Sequence, residues 1–220
     1  MEKQELSETV SLTSIVCNMS DPNIYICDFN DSFTYNIYSE LKLIDSELVI
    51  EVVPFSKVEV LLLKLQNIER KTAIIMGPGP GSPTEYSFLF EGIHNVSLNK
   101  NIFLMGICLG HQLYWSSQKY SVIKCGEPVH GQTQRYSLPK PISHKLRNLS
   151  SIEVQRYNSL KVDLSSTQEE ELTKGKGALI FDRELVMYIS ERLVTYQFHP
   201  ESVGTKNSEV FFSHLLSYLG

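Results

Sequence analysis

The 220 residues suit one domain and are enough to bury a substantial core. Apolar residues make up 42% of the chain and charged residues 20%, which excludes disorder throughout, and a net charge of −5 with no Lys/Arg stripe argues against nucleic acid as a partner. No apolar stretch approaches the length of a bilayer span, which argues against a membrane protein. Met1–Pro22 carries Glu2, Glu5, Glu8 and Asp21 around a short apolar patch, Val10–Val16. That composition fits neither a secretory signal nor a transit peptide, so residues 1–22 read as a flexible N-terminal extension and residues 23–220 as the domain. Ile24–Cys27 then reads as a strand, Phe33–Leu43 as a helix, Leu48–Val53 as a valine-rich strand stopped by Pro54, and Val58–Leu65 as a helix. Ala73–Met76 follows as a third strand, a helix lies around Phe88–Val96, and Asn101–Met105 is a fourth strand. Alternation of this kind predicts βαβ units in a mainly parallel sheet with helices on both faces.

The second half reads differently. Tyr120–Lys124, Thr133–Leu138, Ile152–Gln155, Ala178–Phe181, Leu185–Ile189 and Leu193–Phe198 are short strands separated by turns, with Asp182-Arg183-Glu184 as a hairpin turn and a small antiparallel sheet expected here. Asp163–Gly177, polar and carrying Glu169-Glu170-Glu171, reads as a flexible loop, and Ser208–Leu219 as a closing amphipathic helix. Cys17, Cys27, Cys108 and Cys125 have neither Cys-x-x-Cys spacing nor the density of a disulfide scaffold, so a reducing, cytoplasmic location is expected.

Chemistry concentrates at two places. Gly106-Ile-Cys108-Leu-Gly110 follows the Asn101–Met105 strand directly, in the manner of a nucleophile elbow whose serine is replaced by cysteine. Glycines on both sides remove the Cβ atoms that a sharp strand-to-helix turn would crowd. The thiol then sits at a helix N-terminus, where free N–H groups and the positive dipole end favour thiolate, and Leu109 can offer a backbone N–H to an oxyanion. Alone, the pattern also fits a core cysteine between packing glycines. Gln197-Phe-His199-Pro-Glu201-Ser202 supplies a histidine and a carboxylate two residues apart. Pro200 biases His199 toward extended backbone, and residues i and i+2 of an extended segment share a side, so Glu201 can hold the His199 ring. Alone, His-Pro-Glu also fits a surface turn. Together the two stretches have the nucleophile, base and orienter of a triad, in the order Cys108, His199, Glu201.

Gly106–Gln112 and Gln197–Ser202 resemble the two signature motifs of the class I glutamine amidotransferases. Asp28-Phe-Asn-Asp-Ser-Phe-Thr-Tyr-Asn36, Gly77-Pro-Gly-Pro-Gly-Ser-Pro83, Val129-His-Gly131 and Arg156-Tyr-Asn-Ser-Leu160 resemble further stretches of the glutaminase subunits that serve chorismate-using synthases. The similarity runs from about Ile24 to the C-terminus. It implies an α/β fold of the class I glutamine amidotransferase type, with a mainly parallel central sheet flanked by helices. It implies L-glutamine as substrate, no metal or organic cofactor, and a large chorismate-binding synthase subunit as partner, of the anthranilate or aminodeoxychorismate type. It carries over Gly79, Pro80, Gly81, Gln112, Ser159 and Leu160 as substrate-binding residues. Gly79 joins Leu109 as an oxyanion donor, and Asp28–Asn36 and His130 are the expected partner contacts. His111 is implied to be structural. Asn158 stands where the family pattern has histidine, Gly77 where it has serine, and Gln118-Lys119-Tyr120 where it has a Gly-Gly pair. The competing functions are a self-sufficient hydrolase of γ-glutamyl amides or peptides and a non-catalytic subunit that kept the fold.

Overall fold

The computed structural model describes residues 22–220; residues 1–21, which hold nearly all of the expected extension, lie outside the described residues. The first half alternates as its sequence predicts: β1 (Ile24–Asp28), α1 (Thr34–Ile44), β2 (Ile50–Pro54), α2 (Phe55–Leu65) and β3 (Thr72–Met76). A 3₁₀ segment (Pro83–Leu89) and α3 (Phe90–Leu98) then lead to β4 (Ile102–Ile107) and α4 (Leu109–Ser117). Pro54 ends β2 as its last residue and opens α2, its extended backbone (φ −64°, ψ 149°) serving as the helix N-cap. The second half holds β5 (Ser121–Lys124), β6 (Gln132–Ser137), α5 (Lys140–Lys145), β7 (Ser151–Arg156), β8 (Leu160–Asp163) and α6 (Ser166–Lys174). It closes with β9 (Ala178–Phe181), β10 (Glu184–Ile189), β11 (Leu193–Tyr196) and α7 (Ser208–Leu219).

Nine strands form one sheet in the order β2-β1-β3-β4-β11-β10-β8-β5, with β9 paired to β10. The run from β2 to β11 is parallel, and the pairings beyond β11 are antiparallel. The small antiparallel sheet is the β6–β7 pair. Every residue of β3 and β4 is buried, as central parallel strands covered on both faces require. Alternate residues of β1 feed opposite layers. Ile24 and Ile26 pack with Ile37 and Leu41 of α1 and Phe211 and Leu215 of α7, while Tyr25 and Cys27 pack with Leu62 of α2, Ile93 of α3 and Leu113 of α4.

Two local expectations change. Asp163–Gly177 is not a loop: Ser165 and Gln168 form a reciprocal capping box that starts α6, and Leu172 buries its inner face. The β9–β10 turn has two residues rather than three, since Phe181 pairs with Glu184; Asp182 and Arg183 both have positive φ (47° and 60°), the turn form that matches strand twist. Among the described residues no helix is long and apolar enough to cross a membrane, and no group of three or more His, Cys, Asp or Glu side chains is arranged to hold a metal ion.

Candidate active site

Parallel pairing of β4 with β11 matches Ile107 with Tyr196, so both chains leave the sheet at one level. The Cys108 N–H donates to Tyr196 O at 2.8 Å. Cys108 itself has φ 53° and ψ −102°, backbone that a side-chain-bearing residue adopts only when its surroundings enforce it. The enforcing contacts are at the neighbouring glycines. A Cβ on Gly106 would lie 2.7 Å from Gly110 O, and one on Gly110 would lie 2.0 Å from Met76 O. Elbow, α4 and β3 therefore touch backbone to backbone, and the thiol is left at the head of α4, 9% exposed.

His199 and Glu201 follow β11. The His199 N–H donates to Gln155 O (2.9 Å) in an isolated antiparallel bridge to β7, and Thr205 Oγ1 donates to His199 O (2.7 Å). The ring Nδ1 is 2.8 Å from Glu201 Oε1, and both residues are 3% exposed. An ionised carboxylate only accepts, so this contact places the proton on Nδ1 and turns Nε2 away from Glu201. Phe33 and Tyr157 pack on the ring, each with its centroid 5.0 Å away. Burial pulls the imidazole pKa down, but hydrogen bonding to Cys108 and Glu201 and the negative charge of both outweigh it, holding His199 well above its usual value.

The Gly77–Pro83 loop closes the third side. Gly110 N–H donates to Gly77 O (3.2 Å), tying loop to elbow. Gly79 fits against Phe29 and Leu109: a Cβ there would lie 2.6 Å from Phe29 Cβ and 2.7 Å from Leu109 Cδ2. Among the described residues neither Leu109 N–H nor Gly79 N–H donates to any acceptor. Pro80 and Gly81 are exposed at the loop tip, Gly81 with φ 80°. Gln112 is buried, and its Nε2 donates to Leu160 O (3.0 Å) and Gln197 Oε1 (3.1 Å). Ser159 is exposed, and its carbonyl accepts from Cys125 N–H (2.9 Å).

A family profile described as "Glutamine amidotransferase class-I" matches residues 25–217. The chain belongs to the class I glutamine amidotransferases. It is 33% identical over 204 residues to "Anthranilate synthase component 2" of Cyanidium caldarium, covering 89% of this chain and 99% of that one. The protein of the same name from Vibrio parahaemolyticus is 30% identical over 190 residues, covering 83% and 89%. In structure the chain resembles the glutaminase domain of Trypanosoma brucei CTPS with bound acivicin (TM-score 0.62, 15% identity, 90% of this chain and 94% of that one).

The Asp28–Asn36 stretch of this amidotransferase builds the site from inside. Asp28 Oδ1 accepts from Asn30 N (2.9 Å), Asp31 N (3.3 Å) and Thr34 Oγ1 (2.9 Å), folding the turn that sets Phe29 behind Gly79 and Phe33 on His199. Tyr157 and Gln197 have no assigned role in the sequence reading, and Phe33 enters it only within the expected partner-contact stretch. Gln197 Nε2 points to Cys108 Sγ at 3.9 Å, and its place at the head of the Gln197–Ser202 motif was the available signal. His111, implied to be structural, is fully buried, and burial lowers its pKa to about 3, leaving it neutral near pH 7. His130 is exposed. Asn158 is buried; its Oδ1 accepts from Arg156 Nε and its Nδ2 donates to Leu160 O, each at 3.0 Å. Arg156 in turn forms a buried ion pair with Glu184.

Proposed function

We propose that this chain is a glutaminase that hydrolyses L-glutamine through Cys108, His199 and Glu201 and passes the ammonia to a chorismate-using synthase subunit. The observation that carries the reading is the convergence on one sheet edge of a strained, helix-capping Cys108, a buried His199 whose ring is polarised by Glu201, and two unpaired amides at Leu109 and Gly79. The Cys108 thiolate adds to the side-chain amide carbon of glutamine, and the carbonyl electrons move onto oxygen as the tetrahedral oxyanion. The Leu109 and Gly79 N–H groups stabilise that charge, the type of contribution worth about 2.7–4 kcal/mol per donor in acyl transfer. Imidazolium His199 gives its Nε2 proton to the leaving nitrogen, the C–N bond breaks, and ammonia departs from a γ-glutamyl thioester. Neutral His199 then takes a proton from water, hydroxide adds to the thioester carbon, and glutamate leaves as the thiolate–imidazolium pair is restored. Glu201 holds the ring and its cation throughout.

Substrate contacts are assigned to Gly79, Pro80, Gly81, Gln112, Ser159 and Leu160. The relatives' name, component 2 of anthranilate synthase, supports a synthase partner, with an aminodeoxychorismate-type synthase as the next choice. The test is ammonia release from glutamine by the purified chain, alone and with a chorismate-using synthase subunit plus chorismate. Slow hydrolysis alone and faster hydrolysis in the complex is the expected result, and Cys108→Ala removes glutamine-dependent synthesis while ammonia-dependent synthesis by the partner survives. Full activity alone, unchanged by any synthase, favours instead the self-sufficient γ-glutamyl hydrolase.

A further inference from the structure

Three of the seven residues in the Gly77–Pro83 loop are prolines, Pro78, Pro80 and Pro83, and none of these has an N–H to anchor it. At the loop's start Gly77 is fixed by two backbone bonds, its N–H to Cys27 O and its carbonyl from Gly110 N–H, each 3.2 Å. At its end Ser82 is fixed by Glu85, whose Oε1 accepts from Ser82 N (2.7 Å) and whose N–H donates to Ser82 O (3.0 Å). Between them, residues 78–81 carry a single hydrogen bond to any described residue: Tyr86 Oη donates to Pro80 O at 3.0 Å. Gly79 lies in that span.

Tyr86 is placed for this contact by its own backbone and by its ring. It sits at φ −110° and ψ 17°, a break in the 3₁₀ segment that turns the side chain back over the loop. The ring stands edge-on to Phe29 (5.5 Å between centroids) and Phe55 (5.4 Å). Phe29 is also the side chain whose Cβ backs Gly79. One residue thus holds the loop from two directions, through its hydroxyl and through the aromatic wall behind the glycine. We infer that Tyr86 is a positioning residue that sets the Gly79 N–H for the oxyanion, an inference that rests on the glutaminase reading above. Burial, with a smaller contribution from the Glu85 charge, raises the Tyr86 pKa, so the phenol remains a donor at neutral pH. An oxyanion donor acts only within about 2.7–3.1 Å of the charge, and misplacement by about 1 Å costs on the order of a hundredfold in rate. A loop freed of its one cross-bond loses part of that placement.

Tyr86→Phe tests this, because the ring packing stays and only the hydroxyl goes. Two reactions of Cys108 are compared in the whole chain: single-turnover formation of the γ-glutamyl thioester from L-glutamine, followed by quenching and mass spectrometry, and alkylation by iodoacetamide. Both need the thiolate, but displacement of iodide creates no oxyanion. The expected result is thioester formation slowed roughly tenfold, an intermediate fraction of the loss for a deleted donor, with alkylation within about twofold of wild type and an unchanged melting temperature. Equal thioester rates in the two proteins overturn the inference alone. A parallel fall in both reactions overturns it too, since general loosening of the site then explains the loss. If wild-type chain is alkylated but forms no thioester, with or without a synthase subunit, the glutaminase reading fails and this inference falls with it.

Discussion

Replacing Cys108 by glycine and, separately, by alanine measures how much of the fold's stability is held against the elbow. Both variants lack the proposed nucleophile, so the comparison is purely one of folding. At an ordinary buried site alanine is the better residue by about 1.5 kcal/mol, from roughly 0.4–1 kcal/mol of unfolded-chain freedom and about 0.8 kcal/mol for burying a methyl group. Cys108 is not such a site: φ 53° with ψ −102° lies outside even the small left-handed region, where any Cβ meets its own backbone. Strain of this kind costs about 1–3 kcal/mol and is released by glycine alone. With a mid-range strain near 2 kcal/mol, Cys108→Gly comes out more stable than Cys108→Ala by ~0.5 kcal/mol, a reversal of about 2 kcal/mol from the ordinary order. Urea unfolding followed by tryptophan fluorescence and circular dichroism reads the difference directly, provided the two variants share one slope. In a chain of this size the 2 kcal/mol contrast corresponds to about 4–8 °C in melting temperature. Cys108→Gly less stable than Cys108→Ala by 1 kcal/mol or more would refute the claim that the elbow is strained.

Other consequences are as direct. Glu201→Gln removes a charge that helps hold His199 above its usual pKa, so the alkaline limb of the glutaminase pH–rate profile, where the imidazolium loses its proton, moves to lower pH; an unmoved limb disconnects Glu201 from His199. Gly110→Ala puts a methyl 2.0 Å from Met76 O, where backbone meets backbone and no side chain can yield, so a loss of more than about 3 kcal/mol or failure to accumulate folded protein is expected in urea titration. Arg156→Met leaves Glu184 buried without its cation and costs about 3–5 kcal/mol, whereas the double variant Arg156→Met, Glu184→Leu recovers much of that in the same assay; equal losses for the single and double variants contradict the pairing.

The parallel half of the fold was legible because its strands are short apolar runs separated by helices with clear apolar spacing, and those runs place β1, β3 and β4 within a residue or two. The antiparallel half was harder. β8 (Leu160–Asp163) alternates too briefly to register as a strand, and α6 was hidden by Glu169-Glu170-Glu171, although Ser165 and Gln168 three residues apart carried the capping signal. Lys119 takes φ 67° where the family pattern has glycine, a conformation invisible in its residue type. At the site, the elbow and the residues of the proposed triad stood out by chemical type and spacing. Phe33 and Tyr157 were not, since an aromatic ring pressed on a histidine needs the fold to bring it there. The pairing of both Gln112 amide protons with Leu160 and Gln197 was equally invisible, since those partners lie far away in sequence.

The two sides of the site answer to different openings of the protein. Cys108 and His199 are each fastened by a backbone amide to a strand, Cys108 to Tyr196 of the central sheet and His199 to Gln155 of the β6–β7 pair, so their amides should exchange with solvent deuterium only when those strands open. The Gly79 and Gly81 amides, in a span fastened by one phenol, should exchange through small local openings that leave the sheet closed. Thiol and imidazole therefore stay matched while those strands hold, whereas the Gly79 amide, the proposed second oxyanion donor, can be gained or lost for a fraction of the unfolding energy. Under the function proposed above, a synthase partner that switches ammonia production has an inexpensive place to push, and it is the glycine–proline loop.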